Sequence, residues 1–118
     1  MIKVPKILKR LFFNQVWNIP NTDNTVYLTF DDGPTPEITE KILEILEKHQ
    51  IKATFFCIGD NVRKYPEIVQ KIISKHHSVG NHTYSHLKGW KTNTKTYLSN
   101  TEACEIKLNS LFKIRNSK

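Results

Sequence analysis

The feature that most limits the fold is the order of two short apolar runs and the helical patterns that follow them. Residues 25–30 (TVYLTF) are β-branched and aromatic, with turn residues on both sides, and predict a strand. Residues 53–58 (ATFFCI) predict a second strand; the run has no alternation, so both faces are expected to be covered. Between them Thr35 can cap a helix whose first turn takes Pro36. Ile38, Ile42, Ile45 and Leu46 then recur at helical spacing, with Glu37 and Glu40 early and Lys48 and His49 late, as the helix dipole favours. A second helix is expected from about Pro66 through Ile68, Ile72 and Ile73, and a short third strand over 78–81, around Val79. A last helix is expected from about Thr94 to Phe112, capped by Asn93 and Thr94, with Tyr97, Leu98, Thr101, Cys104, Leu108, Leu111 and Phe112 as its stripe. Strand–helix–strand order implies an α/β sheet of parallel strands. Functional groups in such sheets gather beyond the carboxyl ends of the strands.

Composition narrows the class. The chain has 118 residues, which is one domain's worth or less, and its 38% hydrophobic and 25% charged residues mark a globular chain. No apolar stretch is long enough to span a bilayer. The apolar run Leu11-Phe12-Phe13 stops at Asn14, short of the about 7–15 residues of an export signal, so no signal peptide is expected. Residues 1–24 read as an N-terminal arm ending in the turn-rich Pro20-Asn21-Thr22-Asp23-Asn24, with Trp17 expected to anchor it to the core. The formal charge is +7, with basic residues clustered at the two ends. They do not interleave with stacking aromatics in a nucleic-acid pattern, so a solvated basic surface is expected and no nucleic-acid partner. Cys57 and Cys104 form no CxxC pair and are expected as buried free thiols.

Two polar clusters fall at the expected strand ends. Asp31-Asp32-Gly33-Pro34 follows the first strand, and His82-Thr83-Tyr84-Ser85-His86 follows the third. Adjacent strand residues point in different directions, so one site could use the two aspartates in two roles. Two histidines four apart share one side of a helical turn and could share an ion. One aspartate and two histidines make a three-ligand set for Zn²⁺ or a similar ion, with positions left open for water and substrate. The spare aspartate could take a proton from that water. This is the equipment of metal-assisted acyl hydrolysis.

These residues resemble the polysaccharide deacetylases, the NodB-like carbohydrate esterases of family 4. Thr29-Phe30-Asp31-Asp32-Gly33-Pro34 and the His82–Ser85–His86 segment look like that family's first two motifs; Ala53-Thr54-Phe55-Phe56 and Gly80-Asn81 fit the same pattern. The resemblance covers roughly residues 25–112. It implies a deformed parallel (β/α) barrel and hydrolytic removal of N-acetyl, or sometimes O-acetyl, groups from a polysaccharide. By the motifs, Asp31 is the implied catalytic base, and Asp32, His82 and His86 the implied ligands of a divalent metal, Zn²⁺ first and Co²⁺ as another option. Thr83, after the first histidine, is expected to support the site through hydrogen bonds.

The chain also departs from the pattern. The family's Arg-x-Pro-x-Gly segment should follow the last helix, and a later Leu-x-His supplies a general acid; neither is in these 118 residues, and Arg115 lacks the following Pro and Gly. None of His49, His76 and His77 is expected to replace that acid, and His76 and His77, at a helix end, are expected to be solvated. Only three strand–helix units are visible, while a full barrel needs about 200 residues or more. The expectation is therefore the N-terminal part of such a domain, over 25–118. Its open sheet edges predict marginal stability, and self-association or pairing with a complementary fragment. A competing reading is a remnant that binds metal or glycan without turnover. A phosphoryl-transfer enzyme fits poorly, because its Asp-x-Asp pattern needs an acid where Phe30 stands. Tyr84 and Trp90 flank the histidines and could stack on a sugar, although packing is the expected role of both.

Overall fold

The structure, a computed structural model, describes residues 5–17 and 24–115. Three strands, β1 (Thr29–Gly33), β2 (Thr54–Cys57) and β3 (Ser78–Asn81), form a parallel sheet in the order β1-β2-β3. The helices are α1 (Lys6–Leu11), α2 (Ile38–Lys48), α3 (Gly59–Lys64), α4 (Pro66–Ser74) and α5 (Thr94–Arg115). This is the α/β arrangement expected from the alternating pattern. α2 packs against α4, α4 and α5 both reach β3, and α3 rests on α5.

The core lies between these helices and the sheet. Leu43 and Leu46 of α2, Phe55 and Cys57 of β2, Val69, Ile72 and Ile73 of α4, and Cys104, Leu108 and Leu111 of α5 are all buried in one cluster. β2 alternates, contrary to expectation: Phe55 and Cys57 are buried, while Thr54 and Phe56 are half-buried. Its two faces are therefore covered unequally. In the α5 stripe Cys104, Leu108 and Leu111 are buried, whereas Leu98 is exposed, because it lies about 100° round the helix from Tyr97, off the face those residues share. Cys57 and Cys104 are buried free thiols as expected, and burial pushes the Cys57 thiol up to about 12.

β1 differs from its expected span. It begins at Thr29, because β2 starts opposite it and Thr54 N–H donates to the Leu28 carbonyl; residues 24–28 fall outside the strand. Val26 and Tyr27 consequently remain exposed. The strand runs on through the aspartates to Gly33, whose carbonyl accepts Ile58 N–H at 2.9 Å. The α2 cap also moves. Glu37 has φ 63°, so helical geometry begins at Ile38, and Glu37 and Glu40 form a reciprocal capping box in place of Thr35. Thr35 N–H instead donates to Thr39 Oγ1 at 2.8 Å.

α3 had no sequence expectation. Asp60 pairs with Arg63 and Lys64 one turn on, which supports this short helix. In the arm, α1 carries no buried residue, and Trp17 donates its ring N–H to the Phe12 carbonyl at 3.0 Å. Trp17 thus closes the arm on itself, where an anchor to the core was expected. Residues 20–23 of the expected turn lie outside the described residues. Asn93 caps α5 as expected, with its Oδ1 accepting Thr96 N–H at 2.9 Å.

His77 corrects the expectation of a solvated side chain. It is buried, lies edge-on to Phe55, and its Nδ1 accepts Ala53 N–H at 3.2 Å. An acceptor at Nδ1 requires the neutral ring with its proton on Nε2. Burial, then the nearby Lys52 and Lys75 and, more weakly, His76, hold its pKa below the usual histidine value; Glu47 opposes them. The folded chain therefore binds fewer protons at this ring than the unfolded chain. This stability is fully present above the unfolded value of about 6.5 and is lost as pH falls from there through the lower folded value. Thermal melts from pH 7.5 down to pH 5 are expected to lose stability in the parent chain. His77→Gln, which keeps an acceptor but no titration, should flatten that dependence; an equal slope in both would remove His77 as its source.

Candidate metal and catalytic centre

The site begins with a slip in the sheet register. β1 pairs Phe30 with Phe55 and Gly33 with Cys57, so β1 spends one more residue than β2 over the same interval. Asp31 and Asp32 occupy this bulge, and Asp32 takes φ 67°. A bulge bends its strand and re-aims side chains. Here it carries the two carboxylates out of the regular pleat at the carboxyl end of the sheet. Asn61 of α3 donates to the Asp32 carbonyl at 2.9 Å and fixes its main chain.

The histidines come from the loop after β3. His82 N–H continues the ladder to the Cys57 carbonyl at 3.0 Å. The segment then leaves the sheet without forming the expected helical turn, since Thr83 and His86 have φ 61° and 54°. Such backbone is uncommon for these residues and needs support from its surroundings. That support is dense. Thr83 N–H donates to Asn81 Oδ1, while Asn100 Oδ1 accepts both Tyr84 N–H at 2.7 Å and Ser85 N–H at 3.0 Å. Buried Thr83 uses its hydroxyl oxygen to accept Leu87 N–H, consistent with its expected supporting role. The first two N–H groups of α3, on Gly59 and Asp60, donate to the Thr83 and Tyr84 carbonyls. Gly59 permits this approach, since a Cβ there would lie 2.5 Å from the Tyr84 ring and 3.0 Å from its Cα.

The result is a convergence on one oxygen. Asp32 Oδ1 lies 3.1 Å from His82 Nε2 and 3.1 Å from His86 Nε2. The two imidazole rings stand 5.2 Å apart, and the three donor atoms all lie within 4.8 Å of one another. Zinc bonds of about 2.1 Å place neighbouring ligands of a tetrahedral ion about 3.4 Å apart, so the spacing suits such an ion. Two imidazole nitrogens and a carboxylate are also the right donor types for it. Asp32 and His86 are exposed and His82 half-buried, so water and a substrate can reach the centre. Beside it lies a cavity of about 250 Å³ lined by Asn81, His82, Thr83, His86, Leu87, Tyr97 and Thr101. Asp31 is exposed beside Asp32, and its carboxylate has no ion pair among the described residues.

Four of the residues that hold this site had no sequence expectation as functional: Asn61, Asn81, Asn100 and Gly59. Asn81 alone had a signal, its place directly before His82. Tyr84 packs against the core as expected, but Trp90 is fully exposed rather than packed.

Comparisons with known proteins identify the family and the fold. The family model for polysaccharide deacetylases matches residues 18–117. A peptidoglycan-N-acetylglucosamine deacetylase of Bacillus cereus is 47% identical over 92 residues, 78% of this chain and 34% of that protein. A chitooligosaccharide deacetylase of Rhizobium leguminosarum bv. trifolii is 45% identical over 64 residues, 54% of this chain and 30% of that protein. The chain thus spans about a third of the length of the curated relatives it matches. Among solved structures, a peptidoglycan N-acetylglucosamine deacetylase superposes with a TM-score of 0.76 at 47% identity, covering 78% of this chain and 43% of that one. Peptidoglycan deacetylase PdaC from Bacillus subtilis does so with a TM-score of 0.73 at 32% identity, covering 79% of this chain and 46% of that one. With the family model covering most of its length and the sheet matching solved members, the chain belongs to the polysaccharide deacetylase family.

Proposed function

We propose that Asp32, His82 and His86 hold a divalent ion, Zn²⁺ or Co²⁺, and that with Asp31 they serve hydrolytic removal of N-acetyl or O-acetyl groups from an acetylated polysaccharide. The observation that carries this reading is the convergence of both Nε2 atoms on Asp32 Oδ1 at 3.1 Å. When bound, such an ion supplies Lewis-acid polarisation of the acyl carbonyl and lowers the pKa of water. The residues of the chain then divide the remaining work. Asp31, exposed and without an ion pair among the described residues, takes the proton from the attacking water as it adds to the carbonyl carbon. The bulge keeps the two neighbouring carboxylates in separate roles. The amine or hydroxyl of the sugar leaves with the proton that Asp31 took up, and the acyl group departs as acetate. The names of the relatives motivate two polymers as substrates, peptidoglycan and chitin-like oligomers.

The exposure of Asp32 and His86 favours a second reading, in which the chain binds metal or glycan without turnover, because an open site excludes water poorly. One assay separates the two. Acetate release from acetylated chito-oligosaccharides and peptidoglycan fragments is measured with the zinc-loaded 118-residue chain and a metal-free control. Turnover above the control is expected, and Asp31→Asn should lower it by about 10²–10⁴-fold while zinc affinity stays within a few-fold. Zinc binding with no acetate release would establish the second reading. Full activity in Asp31→Asn would remove Asp31 as the base.

A further inference from the structure

We propose that Trp90 and the basic segment that carries it, with Lys88 and Lys91 on its turn and Lys95 at the start of α5, form a docking platform that selects an acidic N-acetylated glycan over a neutral one. The inference rests on the deacetylase reading above and deepens it by naming the substrate class. Trp90 sits on a single 3-10 turn, Gly89–Lys91, and the residue is fully exposed. The turn is held by its own bonds: Lys91 N–H and the Thr92 hydroxyl both donate to the Lys88 carbonyl, at 3.0 and 2.9 Å. A large aromatic presented in this way offers a flat apolar face to solvent and contributes nothing to the core. A sugar ring carries an apolar C–H face that matches it.

Position ties this turn to the site. A Cβ on Gly89 would lie 3.7 Å from the Tyr97 ring, so the turn rests against Tyr97. Tyr97 lines the same cavity as His82 and His86. The turn that carries Trp90 therefore shares Tyr97 with the cavity beside the candidate centre.

Charge supplies the selectivity. No Asp or Glu occurs between Glu67 and Glu102. Of the five lysines in that stretch, Lys71 and Lys75 are paired with Glu40 and Glu47. Lys88, Lys91 and Lys95 are exposed and form no ion pair among the described residues. Three uncompensated ammonium groups on the segment that presents a stacking ring favour a strand that carries carboxylates. A neutral strand would use the ring alone.

The test is calorimetric titration of the zinc-loaded 118-residue chain with two probes. One is a tetrasaccharide alternating N-acetylglucosamine and N-acetylmuramic acid, which carries carboxylates; the other is neutral chitotetraose. At low salt the acidic probe is expected to bind about tenfold tighter, and this advantage should fade at about 0.5 M salt. Changing Lys88, Lys91 and Lys95 together to alanine should bring the two probes to parity. Trp90→Ala should weaken both by about tenfold, with an unchanged circular dichroism spectrum. In a Trp17→Phe chain, either probe should also shift the emission of Trp90, the remaining tryptophan. Equal affinity of the parent for both probes, or a preference that survives the triple lysine change, would overturn the platform. So would undiminished binding by Trp90→Ala. Glycan preference without acetate release would sink the deacetylase reading and leave the platform standing; acetate release without preference would do the reverse.

Discussion

Zinc titrated into the His82→Ala or His86→Ala chain is expected to bind at least about a hundredfold more weakly than in the parent. Even the outer-shell partners of a metal ligand typically carry 10–100-fold in affinity, and these variants each remove a direct donor. The remaining pair, one imidazole and the exposed Asp32 carboxylate, leaves most of the ion's bonds to water. Asp32→Asn should have a similar effect, since it removes the charge on which both rings converge. Competition against a chromophoric chelator reads the affinity directly. Asp31→Asn is the internal control: it sits one residue away in the same bulge and should hold zinc nearly as well as the parent. A chain that binds zinc equally after both histidines are lost would place the ion elsewhere. Since His82 and His86 lie on a supported loop outside the core cluster, the variants should keep the parent's melting behaviour without metal.

The largest effect on stability is expected at Phe55. It is 2% exposed, stacks on Phe30 with ring centroids 5.1 Å apart, and meets His77 edge-on at 5.5 Å. One side chain thus joins β1, β2 and the entrance to β3. Phe55→Ala should cost about 3–5 kcal/mol, the range for a buried phenylalanine. Small domains have about 5–15 kcal/mol in all, so this change alone could leave much of the chain unfolded. Urea titration followed by circular dichroism measures it. Ile45→Ala, on the outward face of α2 with 59% exposure, should shift stability by no more than about 0.5 kcal/mol. Comparable losses in the two variants would mean that the core is not centred where the sheet places it.

Much of this was legible in the sequence, and the limits have physical causes. β3 and the start of α4 lie where hydrophobic pattern and Pro66 put them, because both signals are local. The residue types of the centre were also legible, since Asp32, His82 and His86 stand at strand ends. The way they meet was not. The bulge depends on how β1 and β2 pair, and no property of residues 29–33 alone announces it. The histidine spacing suggested a helical turn, but Asn81 and Asn100 offer the loop other hydrogen bonds, and Asn100 is distant in sequence. His77 looked like a helix-end residue because its partner, the Ala53 amide, is supplied by another strand. The bulge, the Asn100 bonds and His77 each turn on a partner far along the chain, whereas the Glu37 cap and the Trp17 bond are local.

The bulge in β1 behaves like a dislocation in a crystal. On either side of it the strands are in step, and the mismatch is confined to Asp31 and Asp32. A defect of this kind is not removed by changing side chains; deleting one of the two aspartates would erase it, restoring phase and leaving a single carboxylate in the regular pleat. It follows that exchanging residue types at 31 and 32 and shortening the chain there are different kinds of change. The first alters which group does which task. The second abolishes the geometry that lets two tasks exist side by side.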